Sequence, residues 1–137
     1  MSETFRRSCA HWSEDKRSEM EAFYALATAD YRVLAESFEW RNWLEERQRI
    51  AGNRPMELLD VACGSGKFPV ALTAHAQLAS ASVEPIVTSL LDPSAFSIRE
   101  ARAALPVPFT PGEEYELPVQ SLECPRGRYD IAWATHA

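Results

Sequence analysis

The stretch Leu58–Phe68, LLDVACGSGKF, holds the residues best suited to chemistry. A short apolar run brings Asp60 to its end, and a turn of small residues, Ala62 to Gly66, follows. Gly64 and Gly66 can adopt positive φ and have no Cβ, so a ligand can come close to the backbone there. A helix starting just after the turn would offer unpaired N–H groups and a partial positive charge to an anionic group. Asp60 is placed to orient the loop or to accept hydrogen bonds from it.

Two nucleotide-binding patterns fail on this loop. A phosphate-cradling loop needs G-x-x-x-x-G-K-[ST], but Phe68 replaces the hydroxyl residue and Val61 the first glycine. A dinucleotide fingerprint needs G-x-G-x-x-G or its alanine-ended form. Neither Gly64-Gly66-Pro69 nor Ala62-Gly64-Lys67 satisfies it. Cys63 sits inside the loop, but no neighbouring base is implied that would make its thiol a nucleophile.

The elements around the loop alternate. Apolar residues from Met20 to Phe38, among them Tyr24, Tyr31 and Leu34, recur at spacings of three and four, which predicts one helix face. A second helix is predicted with Trp40, Trp43, Leu44 and Ile50 on its apolar side, ended by Gly52-Asn53-Arg54-Pro55. Strands are predicted at Met56–Val61, Ile86–Leu91, Val107–Phe109 and Tyr129–Ala134. Helices are predicted from Lys67 to Ala79 and after Ser94, a good N-cap. Strand–helix alternation predicts an α/β fold with a parallel sheet and right-handed crossovers. The aromatic stripe Tyr24, Tyr31, Trp40, Trp43 reads as core in preference to a lid.

LDVACGSGKF resembles motif I of the class I, Rossmann-like S-adenosylmethionine-dependent methyltransferases, a hydrophobic strand followed by D-x-G-x-G-x-G. Asp60, Gly64 and Gly66 match, and Ala62 replaces the first glycine. The second strand ends in Asp92 (SLLDPS), where the family places an acid that receives the ribose hydroxyls. GEEYELP resembles the adenine-contacting loop, with Glu113 the best match. YDIAWATHA resembles the fourth-strand motif. The resemblance implies S-adenosylmethionine as cofactor, held by Asp60, Ala62, Cys63, Gly64, Gly66, Asp92 and Glu113. Just beyond the fourth strand His136 is the candidate general base, and Asp130, which opens that strand, reads as structural.

It also implies a division into an N-terminal helical extension or lid, residues 1–54, and a partial Rossmann-like domain, residues 55–137. The family's sheet has more strands than the four read here, so the fold is expected to be incomplete. An unpaired apolar fourth strand invites association, which predicts another polypeptide or a homo-oligomer along that edge. The expected activity is methyl transfer to a small molecule, with the chain alone inactive. The rival expectation is a non-catalytic methyltransferase-like scaffold.

Composition agrees. The chain has 137 residues, 46% hydrophobic and 25% charged, which suits one globular core. A net charge of −6 with scattered arginines argues against a nucleic-acid partner. No apolar run reaches the roughly 18 residues of a membrane span. Cys9, Cys63 and Cys124 form no disulfide or metal pattern, which points to a reducing, cytoplasmic setting with no metal site.

Overall fold

The structure, a computed structural model, describes residues 30–135. Helical residues 30–36 (α1) and Trp40–Ala51 (α2) lead into β1 (Glu57–Val61), α3 (Lys67–His75) and β2 (Ile86–Leu91). α4 (Ala95–Ala104), β3 (Phe109–Tyr115) and β4 (Ile131–Ala134) complete it. All strands are parallel in one four-stranded sheet, ordered β3-β2-β1-β4. The predicted α/β class is the observed one.

This order determines where a ligand can sit. Right-handed crossovers from β1 to β2 to β3 put α3 and α4 on one face, where they touch each other. The return from β3 to the far side of β1 must then cross the opposite face. The reversal makes the carboxyl ends of β1 and β4 the topological switch point, the crevice where open α/β sheets bind ligands.

The core lies between the sheet and the helices. Leu44 of α2, Leu58 of β1, Leu72 of α3 and Ile86 of β2 are fully buried in one cluster with Tyr31 of α1. Truncating Leu58 to alanine there costs about 2–5 kcal/mol. The described part of the helical extension therefore shares its core with the sheet.

Four local readings differ from the structure. The Phe38 helix face ends early, because Ser37 Oγ and Trp40 Nε1 both donate to the Leu34 carbonyl, at 2.9 and 3.0 Å. That carbonyl would otherwise receive Phe38 N–H, and Phe38 is left half exposed. Ile50 points to solvent on the flank of α2, while Gln48 turns inward. Its amide donates to the carbonyls of Gly52 and Arg54, both at 2.8 Å, and accepts Glu84 N–H at 3.2 Å, so one polar side chain secures the approach to two strands.

α3 stops at His75 because Gln77 takes a left-handed conformation, φ 56, before a 3-10 turn buries Leu78. β3 begins at Phe109 and runs through Pro111 and Gly112 to Tyr115, later and longer than its local composition predicts. A Cβ on Gly112 would lie 2.8 Å from Ser89 Oγ. Glycine lets β3 close on β2 across a register shift between Thr88 and Leu90. Pairing overrides propensity here.

Candidate functional site

Beyond Val61 the backbone turns through Ala62 (φ 53), Gly64 (φ 55) and Gly66 (φ 81). Ala62 holds its left-handed conformation with a Cβ, at a cost of about 1 kcal/mol. The loop is pinned by Cys63 N–H to the Leu91 carbonyl at 3.0 Å and Gly66 N–H to the Cys63 carbonyl at 3.2 Å. Gly66 starts α3, and a Cβ on it would meet the Ala101 backbone of α4 at 2.9 Å. The glycine serves a close helix–helix approach as well as the turn.

Asp92 follows β2 directly and is buried. Its Oδ2 accepts Gly64 N–H at 3.1 Å and its Oδ1 accepts Ser94 N–H at 2.9 Å. Ser94 in turn caps α4 by accepting Ser97 N–H at 3.3 Å. Each Asp92 oxygen keeps a further lone pair. The carboxylate thus joins the glycine loop to the next helix and can still receive donors from a ligand.

Asp60 is 2% exposed, at the end of β1 beside Trp133 of β4 in the ladder. Burial raises its pKa to about 7; the facing Trp133 indole lowers it in part, and the charge of Asp92 raises it further. The indole N–H faces the carboxylate without completing a hydrogen bond. Burial also raises Asp92, with its two backbone donors holding it partly back. Burial and then the charges of Asp60 and Asp92 push the Cys63 thiol up, which disfavours the thiolate form. Tyr31 is pushed up to about 12 by burial and by Asp60, with a Thr135 hydrogen bond opposing. No cation among the described residues offsets either carboxylate. Beside them the Ser65 hydroxyl is buried in the loop without a partner.

The structure therefore brings Asp60, Ala62, Cys63, Gly64, Gly66 and Asp92 to one place. Glu113 lies within β3; its N–H donates to Ser89 Oγ at 3.1 Å, and its carboxylate accepts from the Tyr115 hydroxyl, 3.9 Å from Arg128. His136 and Tyr24 lie outside the described residues. Asp130 is a clamp, holding Arg54 through two hydrogen bonds of 2.9 and 2.6 Å and accepting Glu57 N–H at 2.8 Å.

Sequence reasoning passed over Trp133 and Phe68. Both border an open cleft of about 610 Å³ at the end of β4. The signal for Trp133 was present. In DIAWA the large residues Ile131 and Trp133 alternate with alanines, which sets both on the face that carries Leu58 and Asp60.

Comparison with known proteins supports the fold. The chain is similar to the plantazolicin methyltransferase BpumL in complex with SAH, with a TM-score of 0.52 and 15% identity, over 92% of this chain and 44% of that one. A second structure of BpumL, in complex with a monoazolic desmethylPZN analog and SAH, gives 0.49 and 18%, over 87% of this chain and 40% of that one. The chain thus spans less than half the length of these solved neighbours. No protein-family model matches the sequence, and no curated protein matches it. The sheet and its helices are those of a Rossmann-like α/β fold, shared with BpumL.

Proposed function

We propose that this chain carries the cofactor-binding part of an S-adenosylmethionine-dependent methyltransferase acting on a small molecule. One observation carries the reading: two buried carboxylates, Asp60 and Asp92, sit at the switch point around a left-handed glycine loop, with no cation among the described residues to offset them. Such a pair repels the pyrophosphate of a dinucleotide. S-adenosylmethionine has no phosphate and carries a sulfonium and an ammonium, so the donor set fits it.

When bound, the cofactor supplies an activated methyl group for in-line displacement, and the protein contributes position and electrostatics. In this reading the spare lone pairs of Asp92 accept from the ribose hydroxyls. Asp60, ionised by a neighbouring cation, balances the positive charge. Residues 55–137 hold the cofactor, residues 1–54 cover the acceptor, and His136 takes the acceptor's proton.

The partner expectation belongs to the same reading. Among the described residues β4 pairs only with β1, and Ala132 and Ala134 lie exposed along it. An apolar groove of about 560 Å³, bordered by Trp43, Ile131 and Trp133, runs beside that strand. A further strand, from continuing or separate polypeptide, completes the sheet there, and without it methyl transfer is absent. The free thiols of Cys63 and Cys124 suit a cytoplasmic location.

A second reading, a non-catalytic scaffold, draws on Ala62, whose Cβ narrows a loop built on glycines. Calorimetric titration with S-adenosylhomocysteine separates the two. Saturable binding that Asp92→Ala loses supports the enzyme, and a folded chain that binds nothing, even with its full sheet restored, supports the scaffold.

A further inference from the structure

The cleft at the end of β4 has a chemistry of its own. Val33 and Leu34 of α1 form one wall, Trp40, Phe68 and Trp133 the other, and Asp30 stands at its mouth. The three rings meet edge to face. Centroids are 5.4 Å apart for Trp40–Phe68, 5.0 Å for Phe68–Trp133 and 6.1 Å for Trp40–Trp133, at interplanar angles of 77°, 73° and 83°. Trp40 and Trp133 stay half-buried, so part of each ring system is open.

An aromatic face carries the negative end of a quadrupole and attracts cations, tryptophan most strongly. Charge around the cleft adds to that. Asp60 lies across the ladder from Trp133, Asp30 faces solvent at the mouth, and no lysine or arginine lines the cleft among the described residues. A neutral apolar ligand would use the rings and gain nothing from the carboxylates, and an anion would be repelled. Only a cation on an apolar body uses every feature present.

We infer that this cleft binds an organic cation, an amine carried on an apolar or aromatic group, and that this amine is the methyl acceptor. The inference rests on the methyltransferase reading for the second clause alone. The reaction is N-methylation. The bound ammonium first gives one proton to the general base of the methyltransferase reading. The freed lone pair then forms a bond to the methyl carbon as the carbon–sulfur bond breaks, the bonding pair stays on sulfur as a thioether, and the methylated nitrogen remains an ammonium. The aromatic walls suit both the incoming ammonium and the more methylated product.

The test needs no turnover. Quenching of tryptophan fluorescence is titrated with phenyltrimethylammonium and with its neutral isostere, tert-butylbenzene, alongside S-adenosylhomocysteine binding. The cation should bind about tenfold more tightly than the isostere. Trp133→Leu should erase that preference, and Asp30→Asn, at an exposed position, should reduce it about twofold. Equal binding of the two probes would overturn the inference, leaving a merely apolar cleft. So would binding of neither while S-adenosylhomocysteine binds, which leaves the cofactor reading standing. A cation preference without S-adenosylhomocysteine binding would keep the cation site and remove its role as acceptor site. If Trp133→Leu does not fold, the ratio in the unaltered chain decides.

Discussion

The two ends of the β1–β4 pair treat charge in opposite ways. At the amino end two ion pairs stand near water: Arg54 grips Asp130, and Arg128 reaches Glu57 at 2.8 Å while lying over the Tyr129 ring at 4.6 Å. Arg54 holds the Asp130 carboxyl below the usual range. At the carboxyl end Asp60 and Asp92 are buried without a counter-ion among the described residues, and both are raised. Charges that serve folding are matched within the fold. A buried, unmatched pair is costly to keep and marks a place where a ligand supplies the match.

The sharpest way to break this contrast is to remove one acid from each end and measure S-adenosylhomocysteine affinity. Asp92→Ala should weaken binding about 100-fold, the worth of two hydrogen bonds to a charged acceptor. Asp130→Ala should leave affinity within about twofold, because Asp130 meets only Arg54 and the Glu57 backbone. If both variants lose binding equally, the two ends do not differ in function.

The pH dependence of stability is the next largest effect. The folded chain keeps the Asp60 proton until about pH 7, whereas the unfolded chain releases it near 3.8. Between those values the folded state binds more protons, so unfolding free energy falls as pH rises through the window. The loss amounts to about 4 kcal/mol. Asp60→Asn should flatten this fall and be the more stable protein at pH 8 by urea unfolding. Asp130 has the opposite sign: its contribution stands above the ordinary carboxylate range and fades as pH falls below it. If Asp60→Asn is less stable at pH 8, the unmatched charge is not a cost.

Gly66→Ala probes the wall of the site without touching its charge. The added Cβ meets Ala101 Cα at 2.9 Å and takes φ 81, so about 1–3 kcal/mol should be lost, read as a lower urea midpoint. α4 would have to move, and Ser94 and Asp92 move with it. Binding should weaken more than the stability loss alone requires.

Much of this was legible in the sequence, and the rest was hidden for identifiable reasons. β2 and the Ser94 cap followed from a continuous apolar run and a hydroxyl before a helix. Asp60, Gly64, Gly66 and Asp92 stood out because close backbone approach and strand-end carboxylates leave residue-type signatures, and the structure brings these four together. β3 was misplaced because Pro111 and Gly112 are poor strand formers on their own, and only β2 makes them one. Ile50 was assigned to the core because it shares a flank with Trp43, while the buried position two residues earlier went to a glutamine whose partners are all backbone groups distant from it in α2's apolar pattern. The cleft could not be read at all, since α1, α2, α3 and β4 each contribute part of its wall and no local pattern joins them.

The smallest expected effect tests the matched end. Arg54 is exposed, and solvent screens its pair with Asp130 heavily. Arg54→Ala should therefore lower the urea midpoint only slightly at pH 7. Adding salt should shrink the difference further, as it does for any solvent-facing pair. Acid should remove it, because protonating Asp130 discharges the partner that Arg54 was holding. Asp130→Asn should cost more than Arg54→Ala, since it also weakens the acceptor for Glu57 N–H at the first residue of β1. A large, salt-independent loss in Arg54→Ala would show that the amino end, too, depends on a desolvated charge, and the contrast between the two ends would then be one of sign alone.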